Sequence, residues 1–176
     1  MPDKILVTYA TRAGSTAGVA EAVGKAIAES GAEVEVRPMQ EVTDLSPYTA
    51  VVAGSAIQRG EWLPEALQFV RAHQAELNQK PFAAFLVCMT LGMKNAGSRE
   101  KARPQVAAWF EPVRALVRPV SEGQFAGELT LSKVQNLRDR LGFWFSVKIG
   151  VWSEGDHRDW EAIRAWGASL PALLAS

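Results

Sequence analysis

The most constraining feature of this chain is an apolar segment that runs through a short loop into an amphipathic pattern. Residues 5–10 begin with Ile, Leu and Val, and this run predicts a buried strand. Apolar residues then recur at helical spacing as far as Ile27, which predicts a helix over residues 16–30 that ends at Gly31. The first N–H groups of a helix have no partners within it, and the helix dipole favours negative charge there. The segment therefore predicts an anion site between strand and helix.

The loop between strand and helix is rich in hydroxyl groups. Thr11, Ser15 and Thr16 supply these hydroxyls, and Gly14 allows the backbone to approach a ligand closely. The sequence lacks the Gly-Lys-Ser/Thr ending of ATP- and GTP-binding loops, and it lacks the repeated glycines of a dinucleotide loop. Extra donors suit a terminal phosphate monoester, such as that of flavin mononucleotide (FMN). The alternative is an ordinary turn in which Ser15 or Thr16 caps the helix.

Composition narrows the class of protein. A chain of 176 residues predicts a single domain over 1–176. The 19 basic and 19 acidic side chains balance, which argues against a dedicated nucleic-acid binder. With one cysteine, Cys88, and two histidines, no internal disulfide and no metal site are expected. The sequence shows no leader and no apolar stretch of roughly 18 residues, so we expect a cytoplasmic protein.

Strand-like and helix-like segments alternate along the rest of the chain. Further strands are predicted at residues 33–37, 50–54, 81–89 and from 117–120 onward. Further helices are predicted at residues 63–77, 98–117 and 159–175, with a late start or a kink at the prolines of the second. This alternation predicts a doubly wound parallel sheet with helices on both faces. Ligands bind such sheets beyond the carboxyl ends of the strands, where residues 11–16, 55–62 and 90–97 would meet.

In these loops the chain resembles the flavodoxin-like family. The Thr-x-x-Gly-x-Thr pattern at Thr11, Gly14 and Thr16 is similar to that family's phosphate loop. The second loop, from Gly54 to Trp62, is similar to that of one subgroup, the menaquinone-dependent protoporphyrinogen IX dehydrogenases. The resemblance covers nearly the whole chain. It implies FMN as cofactor and a five-stranded parallel sheet of order 2-1-3-4-5, with an insertion in or after strand five.

The resemblance implies a cofactor site built from three loops, and it implies no particular catalytic residue. The residues are Thr11, Arg12, Ala13, Gly14, Ser15 and Thr16 in the first loop, Ser55, Ala56, Ile57, Gln58, Arg59, Gly60 and Trp62 in the second, and Thr90, Leu91 and Gly92 in the third. Arg59 would lie near the pyrimidine end of the flavin and favour its anionic reduced form. Its alternative is a solvated loop arginine, and the alternative for Trp62 is a core position at a helix start.

Two features depart from a flavodoxin that carries single electrons between proteins. The third loop, residues 90–97, has no aromatic residue to cover the flavin. The chain is also neutral, whereas such carriers are usually acidic. An uncovered flavin face would leave room for a planar substrate to stack.

The segment from Leu129 to Trp152 is the second informative region. Val134, Leu137 and Leu141 recur at helical spacing, and Lys133, Arg138 and Arg140 lie on the other face. Such a basic amphipathic segment suits an anionic membrane surface or an apolar partner. One alternative is that the aromatic residues over 145–152 pack as the second half of strand five, and another is that the insertion forms a lid over the substrate. For Asp156, His157 and Asp159 we expect helix capping.

The sequence thus predicts an FMN-dependent oxidoreductase that passes electrons between an apolar planar substrate and a quinone. The resemblance makes protoporphyrinogen IX the candidate substrate. The composition predicts a cytoplasmic protein, and the segment from Leu129 to Trp152 predicts a peripheral contact at the inner face of the membrane. The first alternative is a one-electron carrier that docks to redox proteins. Others are a flavin-free interaction domain and a nicotinamide-binding protein that uses Arg37. The oligomeric state stays open.

Overall fold

Five parallel strands form the central sheet. The computed structural model describes residues 3–175. In chain order the strands are β1 (Lys4–Ala10), β2 (Glu33–Pro38), β3 (Ala50–Gln58), the two-residue β4 (Glu61–Trp62), β5 (Phe82–Cys88) and β6 (Ser121–Ala126). The parallel strands lie in the order β2-β1-β3-β5-β6, and β4 pairs antiparallel with β3. Since the two-residue β4 pairs only with the end of β3, the five long strands have the predicted order 2-1-3-4-5, which is confirmed.

Helices cover both faces of the sheet, as predicted. One face carries α1 (Ser15–Ala28), and the last helix of the chain, over residues 160–174, packs beside it. The other face carries α2 (Pro64–Ala72), α3 (Gln74–Leu77), α4 (Ala96–Ala108) and α5 (Glu111–Arg114). The remaining elements are β7 (Glu128–Leu129), α6 (Leu137–Lys148), β8 (Gly155–Asp156) and α7 (Trp160–Leu174), with short 3-10 turns at Met39–Glu41, Thr90–Gly92 and Leu131–Lys133.

The alternation of side chains along the strands divides the core into two layers. Ile5 and Val7 of β1 pack into the layer under α1 and α7, and Leu6 packs into the opposite layer. All three are at most 3% exposed, as are most residues of β3 and β5. Strands buried on both faces read as continuous apolar runs, which is why these were predictable. The sheet therefore gives its loops a rigid base.

Some predicted boundaries were wrong. The fifth strand begins at Ser121, not over residues 117–120. Val117 instead packs in the core after α5, and the chain enters the sheet only where the Val120 N–H donates to the Phe82 carbonyl, 2.7 Å away. The helix predicted over residues 98–117 is two helices, α4 and α5. Pro112 lies in the first turn of α5, where its missing N–H costs no helical hydrogen bond.

The insertion follows strand five, but residues 145–152 do not extend that strand. Residues 145–148 end α6 and residues 149–152 follow it without joining a strand, so the sheet-packing alternative is wrong. Asn136 caps this helix by accepting hydrogen bonds from the backbone N–H groups of Arg138 and Asp139. None of the residues of α6 is buried, so its aromatic side chains do not serve the core. β7 and β8 pair antiparallel at the base of the insertion.

Candidate functional site

A cleft of about 780 Å³ opens at the carboxyl ends of the parallel strands. Its floor comes from the loop after β1, the end of β3, the end of β5 and the residues that follow β6. The insertion, including one face of α6, forms the opposite wall. Because all five strands run in one direction, their loops converge here, as expected for a doubly wound sheet.

The first loop wraps around the start of α1. Gly14 has a φ of +93°, a left-handed conformation that glycine adopts without strain, and its N–H donates to Thr11 Oγ1 over 3.0 Å. Thr11, Arg12, Ala13 and Ser15 line the cleft. Thr16 lies beneath them, fully buried, and its hydroxyl has no hydrogen-bond partner among residues 3–175. The loop therefore combines free helical N–H groups with an unsatisfied hydroxyl.

Arg12 gives this loop little net positive charge. Its guanidinium forms two hydrogen bonds to the carboxylate of Glu65 in the first turn of α2. These hydrogen bonds lower the pKa of Glu65 and raise the pKa of Arg12, so both groups stay ionised at neutral pH. An anion in the loop would therefore depend mainly on backbone N–H groups and hydroxyls.

The second loop is a tight hairpin turn between β3 and β4. Arg59 and Gly60 have φ angles of +53° and +80°, and Arg59 is the one non-glycine residue with positive φ within residues 3–175. Two successive positive φ angles are typical of the type I′ turn, which favours asparagine or glycine rather than arginine. The Arg59 guanidinium reaches across to α6, where its Nη2 lies 3.1 Å from Asp139 Oδ1. Ala56, Ile57, Gln58 and Arg59 line the cleft.

Trp62 lies at the boundary between the cleft and the core. It is 2% exposed and packs edge-to-face on Phe110, with 5.7 Å between ring centroids. It also contributes to the cleft wall, and its indole Nε1 has no hydrogen-bond partner in the described part of the chain. Trp62 is thus a core residue in β4, just before α2, and also part of the cleft wall, with a buried N–H that has no partner in the described chain.

The third loop lies away from the cleft. Thr90, Leu91 and Gly92 form a 3-10 turn after β5, and the wall is made instead by Val87, Cys88 and Met89. Burial raises the pKa of the Cys88 thiol to about 11, so it stays protonated at neutral pH. The Met89 carbonyl accepts a hydrogen bond of 2.7 Å from Trp152 Nε1. The other predicted site residues that do not line the cleft are Gly14, Thr16, Ser55 and Gly60.

Comparison with known protein families identifies this architecture. A family model for the flavodoxin domain matches residues 6–156. The chain belongs to the flavodoxin domain family. The match includes the first loop, the second loop and the whole insertion, so the cleft lies within the matched region.

Relatives with assigned names are distant. The protoporphyrinogen IX dehydrogenase [quinone] of Leishmania major is 26% identical over 97% of this chain and 75% of its own length. The protein of the same name from Escherichia coli K12 is 27% identical over 60% of this chain. That match spans 57% of the E. coli protein.

Solved structures agree on the fold. A flavodoxin from the domain Archaea superposes with a TM-score of 0.55 at 15% identity and covers 98% of this chain and 99% of that one. Oxidised flavodoxin 1 from Bacillus cereus gives 0.52 at 20% identity, over 83% of this chain and 98% of that one. At these identities the likeness shows the flavodoxin-like fold alone.

The insertion adds a wall to the cleft of this flavodoxin domain. Cleft-lining residues recur along α6 at Asp139, Gly142, Phe143 and Ser146, which is helical spacing. Phe143 packs edge-to-face on Trp152, with 5.4 Å between ring centroids. The helical spacing of these cleft-lining residues can be seen in the sequence, but the opposite face of α6 is more apolar and dominates the pattern.

The outer face of α6 is apolar and open to solvent. Its large apolar side chains are half or more exposed: Leu137 60%, Leu141 57%, Trp144 50%, Phe145 59% and, just after the helix, Ile149 60%. Of the three predicted basic partners, Lys133 and Arg138 line the cleft instead, and Lys133 pairs with Glu128. Within residues 3–175, no helix is long and apolar enough to cross a membrane.

Arg158 ties the insertion to the first loop. Its side chain is 12% exposed, stacks over the Trp160 ring at 4.4 Å and pairs with Asp156. It also donates to the Ser15 carbonyl over 3.2 Å and to Glu128 over 3.3 Å. The sequence prediction does not include this link, since its partners lie up to 143 residues apart. Of the three expected capping residues, Asp159 caps α7 by accepting from the Ala162 N–H.

Proposed function

We propose that this protein binds FMN in the cleft and oxidises an apolar substrate, protoporphyrinogen IX or a similar molecule, with a quinone as acceptor. The observation that carries the proposal is the cleft itself. A hydroxyl-rich loop at a helix start lies at one side, and an aromatic wall from the insertion lies at the other. The family membership supports a flavin, and the names of the two relatives support the substrate and the quinone.

The residues present fit FMN. Three buried side-chain atoms lack hydrogen-bond partners in the described chain, and two of them, Thr16 Oγ1 and Trp62 Nε1, belong to the two loops at the cleft. A buried polar atom without a partner is costly, so a bound group that satisfies it is favoured. The first loop, residues 11–16, would hold the phosphate. Residues 55–60 and Trp62 would hold the ring, while Thr90, Leu91 and Gly92 would act only by supporting Met89.

The chain's own residues would position substrate and exclude water. The chemistry that FMN supplies when bound is transfer of electron pairs from a reduced substrate to a quinone. Phe143 and Trp152 present an aromatic surface on which an apolar ring system would pack. The Arg59–Asp139 ion pair joins the second loop to α6 and would keep the wall in place across the cleft.

The proposal is tested with purified protein. We expect the protein to bind one FMN and, on stepwise reduction with dithionite, to pass directly from the oxidised to the fully reduced spectrum. It should oxidise protoporphyrinogen IX when a quinone is supplied. A protein that accumulates the one-electron-reduced flavin and lacks this oxidation would be a carrier. A protein that takes up no flavin would be an interaction domain.

Asp139→Asn should raise the reduction potential of bound FMN. Asp139 balances the charge of Arg59 across 3.1 Å, so its neutralisation leaves the arginine free to favour the anionic reduced flavin. We expect the reduced form to gain about 1 kcal/mol relative to the oxidised form, the scale of a unit charge at a partly solvated site. Arg59→Gln should shift the potential in the opposite direction. Equal potentials in wild type and both variants would place Arg59 away from the flavin.

We further propose that the outer face of α6 contacts an anionic membrane surface. Leu141, Trp144 and Phe145 offer exposed apolar area, and Lys148 lies over the Trp144 ring at 5.6 Å. Arg140 adds a second cation on this helix. Aromatic residues beside cations suit the headgroup region. Contact there would bring the cleft close to quinone dissolved in the lipid.

Vesicle cosedimentation tests this contact. Wild type should bind vesicles of anionic phospholipid at low salt, and affinity should fall about fivefold for each of Arg140→Ser and Lys148→Ser, from about 1 kcal/mol per charge near the surface. Leu141→Ser should also weaken vesicle binding. Val120→Ser is the control, because Val120 is an exposed apolar residue outside α6, and it should leave binding unchanged. If wild type stays in the supernatant, the apolar face serves another contact.

A further inference from the structure

Four cationic side chains line the cleft, and one of them lacks a counter-charge. Three have carboxylate partners, namely Arg12 with Glu65, Arg59 with Asp139 and Lys133 with Glu128. The fourth is Arg138, in the first turn of α6. Within residues 3–175 its guanidinium has no carboxylate in ion-pair range, and only its backbone N–H is engaged, by Asn136. Arg138 is therefore the cationic residue of the cleft wall whose side chain has no carboxylate partner in the described part of the chain.

The position of Arg138 in its helix does not explain its charge. A cation in the first turn of a helix opposes the helix dipole, which favours acidic residues there. Its neighbour Asp139 suits that place and also meets Arg59. Arg138 thus stabilises neither the helix nor an ion pair, which leaves the cleft as the place where its side chain has a use.

An aromatic surface lies one turn along the same wall. Phe143 packs edge-to-face on Trp152, and Gly142 beside it has no side chain to block access. An apolar ring system packs well on such a surface. A guanidinium binds a carboxylate through two parallel hydrogen bonds and prefers it to uncharged acceptors. Together the two features suit an apolar ring molecule that carries a carboxylate at its edge.

We propose that Arg138 binds a peripheral carboxylate of the electron-donating substrate in this cleft. The inference deepens the proposed function and rests on it, because it names the substrate class as an acidic, otherwise apolar ring system. A quinone carries no carboxylate, so Arg138 acts on the donor and not on the acceptor. Arg138 is thus a specificity residue, because it distinguishes the carboxylate-bearing electron donor from the quinone at a single flavin.

Binding of protoporphyrin IX and of its dimethyl ester to the FMN-loaded protein tests the inference without turnover. Both ligands are titrated in the same detergent solution and followed by porphyrin absorbance. Wild type should bind the diacid about tenfold or more tightly than the ester, the value of a charge-assisted hydrogen bond. Arg138→Gln should lose that preference and bind both alike. Arg138→Lys, which keeps the charge but not the paired geometry, should be intermediate.

Arg118→Gln is the matched control, since Arg118 is exposed and lies outside the cleft wall. It should behave as wild type. In turnover, Arg138→Gln should raise KM for protoporphyrinogen IX about tenfold and leave KM for the quinone unchanged. Circular dichroism and FMN content show whether each variant is folded and loaded.

The outcomes separate this inference from the function beneath it. If wild type oxidises protoporphyrinogen IX but Arg138→Gln binds the diacid equally well, the inference is overturned and the proposed function stands. If the diacid binds through Arg138 but is never oxidised, Arg138 is a carboxylate site, but its ligand is not the electron donor and the proposed substrate chemistry is wrong. If wild type binds diacid and ester alike, Arg138 has no part in recognition.

Discussion

Replacing Thr16 with valine should weaken FMN binding about tenfold to a hundredfold without destabilising the apoprotein. The Thr16 hydroxyl is fully buried beneath the first loop and has no partner in the described chain. A hydrogen bond from it to a charged phosphate would contribute roughly 1.5–3 kcal/mol, which sets the expected loss. An unsatisfied buried hydroxyl costs about 1–3 kcal/mol, so its removal should leave the apoprotein as stable or more stable.

Thr8 provides the control for this experiment. Its hydroxyl is also buried and unpaired in the described chain, but it lies within β1 rather than in the loop. Thr8→Val should therefore change stability in the same direction and leave FMN affinity unchanged. Fluorescence titration of apoprotein with FMN gives the affinities, and urea denaturation gives the free energies of unfolding. If Thr16→Val binds FMN as tightly as wild type, the phosphate site is not at the start of α1.

The parts of this fold that could be predicted from sequence are those whose residue pattern fits only one kind of structure. β1, β3 and β5 are buried on both faces, and continuous apolar runs with breaks between them describe that environment fully. Parallel strands need crossover helices, so the alternation then fixed the layers and the position of the cleft. The site residues that follow β1 and β3 could then be predicted, because the loops at the carboxyl ends of parallel strands converge.

The insertion was harder to predict because an apolar run in the sequence does not indicate which part of the protein, if any, packs against it. Phe143 and Trp144 are adjacent, yet the first packs on Trp152 in the cleft wall and the second points outward, half exposed. A run of this kind is typical of a core strand, but here it belongs mostly to a helix with no buried residue, one face of which lines the cleft while the other is exposed to solvent. The Arg59–Asp139 pair spans 80 residues, beyond any local pattern.

The two faces of α6 suit two different parts of the proposed function. The polar and aromatic face lines the cleft through Asp139, Phe143 and Ser146, while Leu141 and Phe145 face solvent. Arg158 links the base of the insertion to the loop after β1 through Glu128 and the Ser15 carbonyl. Under the proposed function, the lipid surface, the cleft and the phosphate loop would thus lie one after another at the carboxyl ends of the strands.

Gly54→Ala should be the most destabilising single-methyl change in this chain. Gly54 pairs with Phe85 across β3 and β5, and the Phe85 ring lies directly over it. A Cβ at position 54 would lie 2.0 Å from Phe85 Cζ, far inside van der Waals contact. The ring has little freedom to move, since it is fully buried against Phe125 and Trp166, at centroid distances of 6.3 and 5.9 Å. Overpacking of this kind costs about 3 kcal/mol.

A second-site change distinguishes this clash from a general defect of the strand. Phe85→Leu alone should destabilise, because it leaves a cavity, but it should partly rescue Gly54→Ala by making room for the new methyl. The double variant should therefore be more stable than the sum of the single changes predicts, by on the order of 1–3 kcal/mol in urea denaturation. Gly142→Ala, whose added methyl meets nothing within 4 Å, should be neutral or stabilising. Strict additivity of the two changes would show that the ring yields freely.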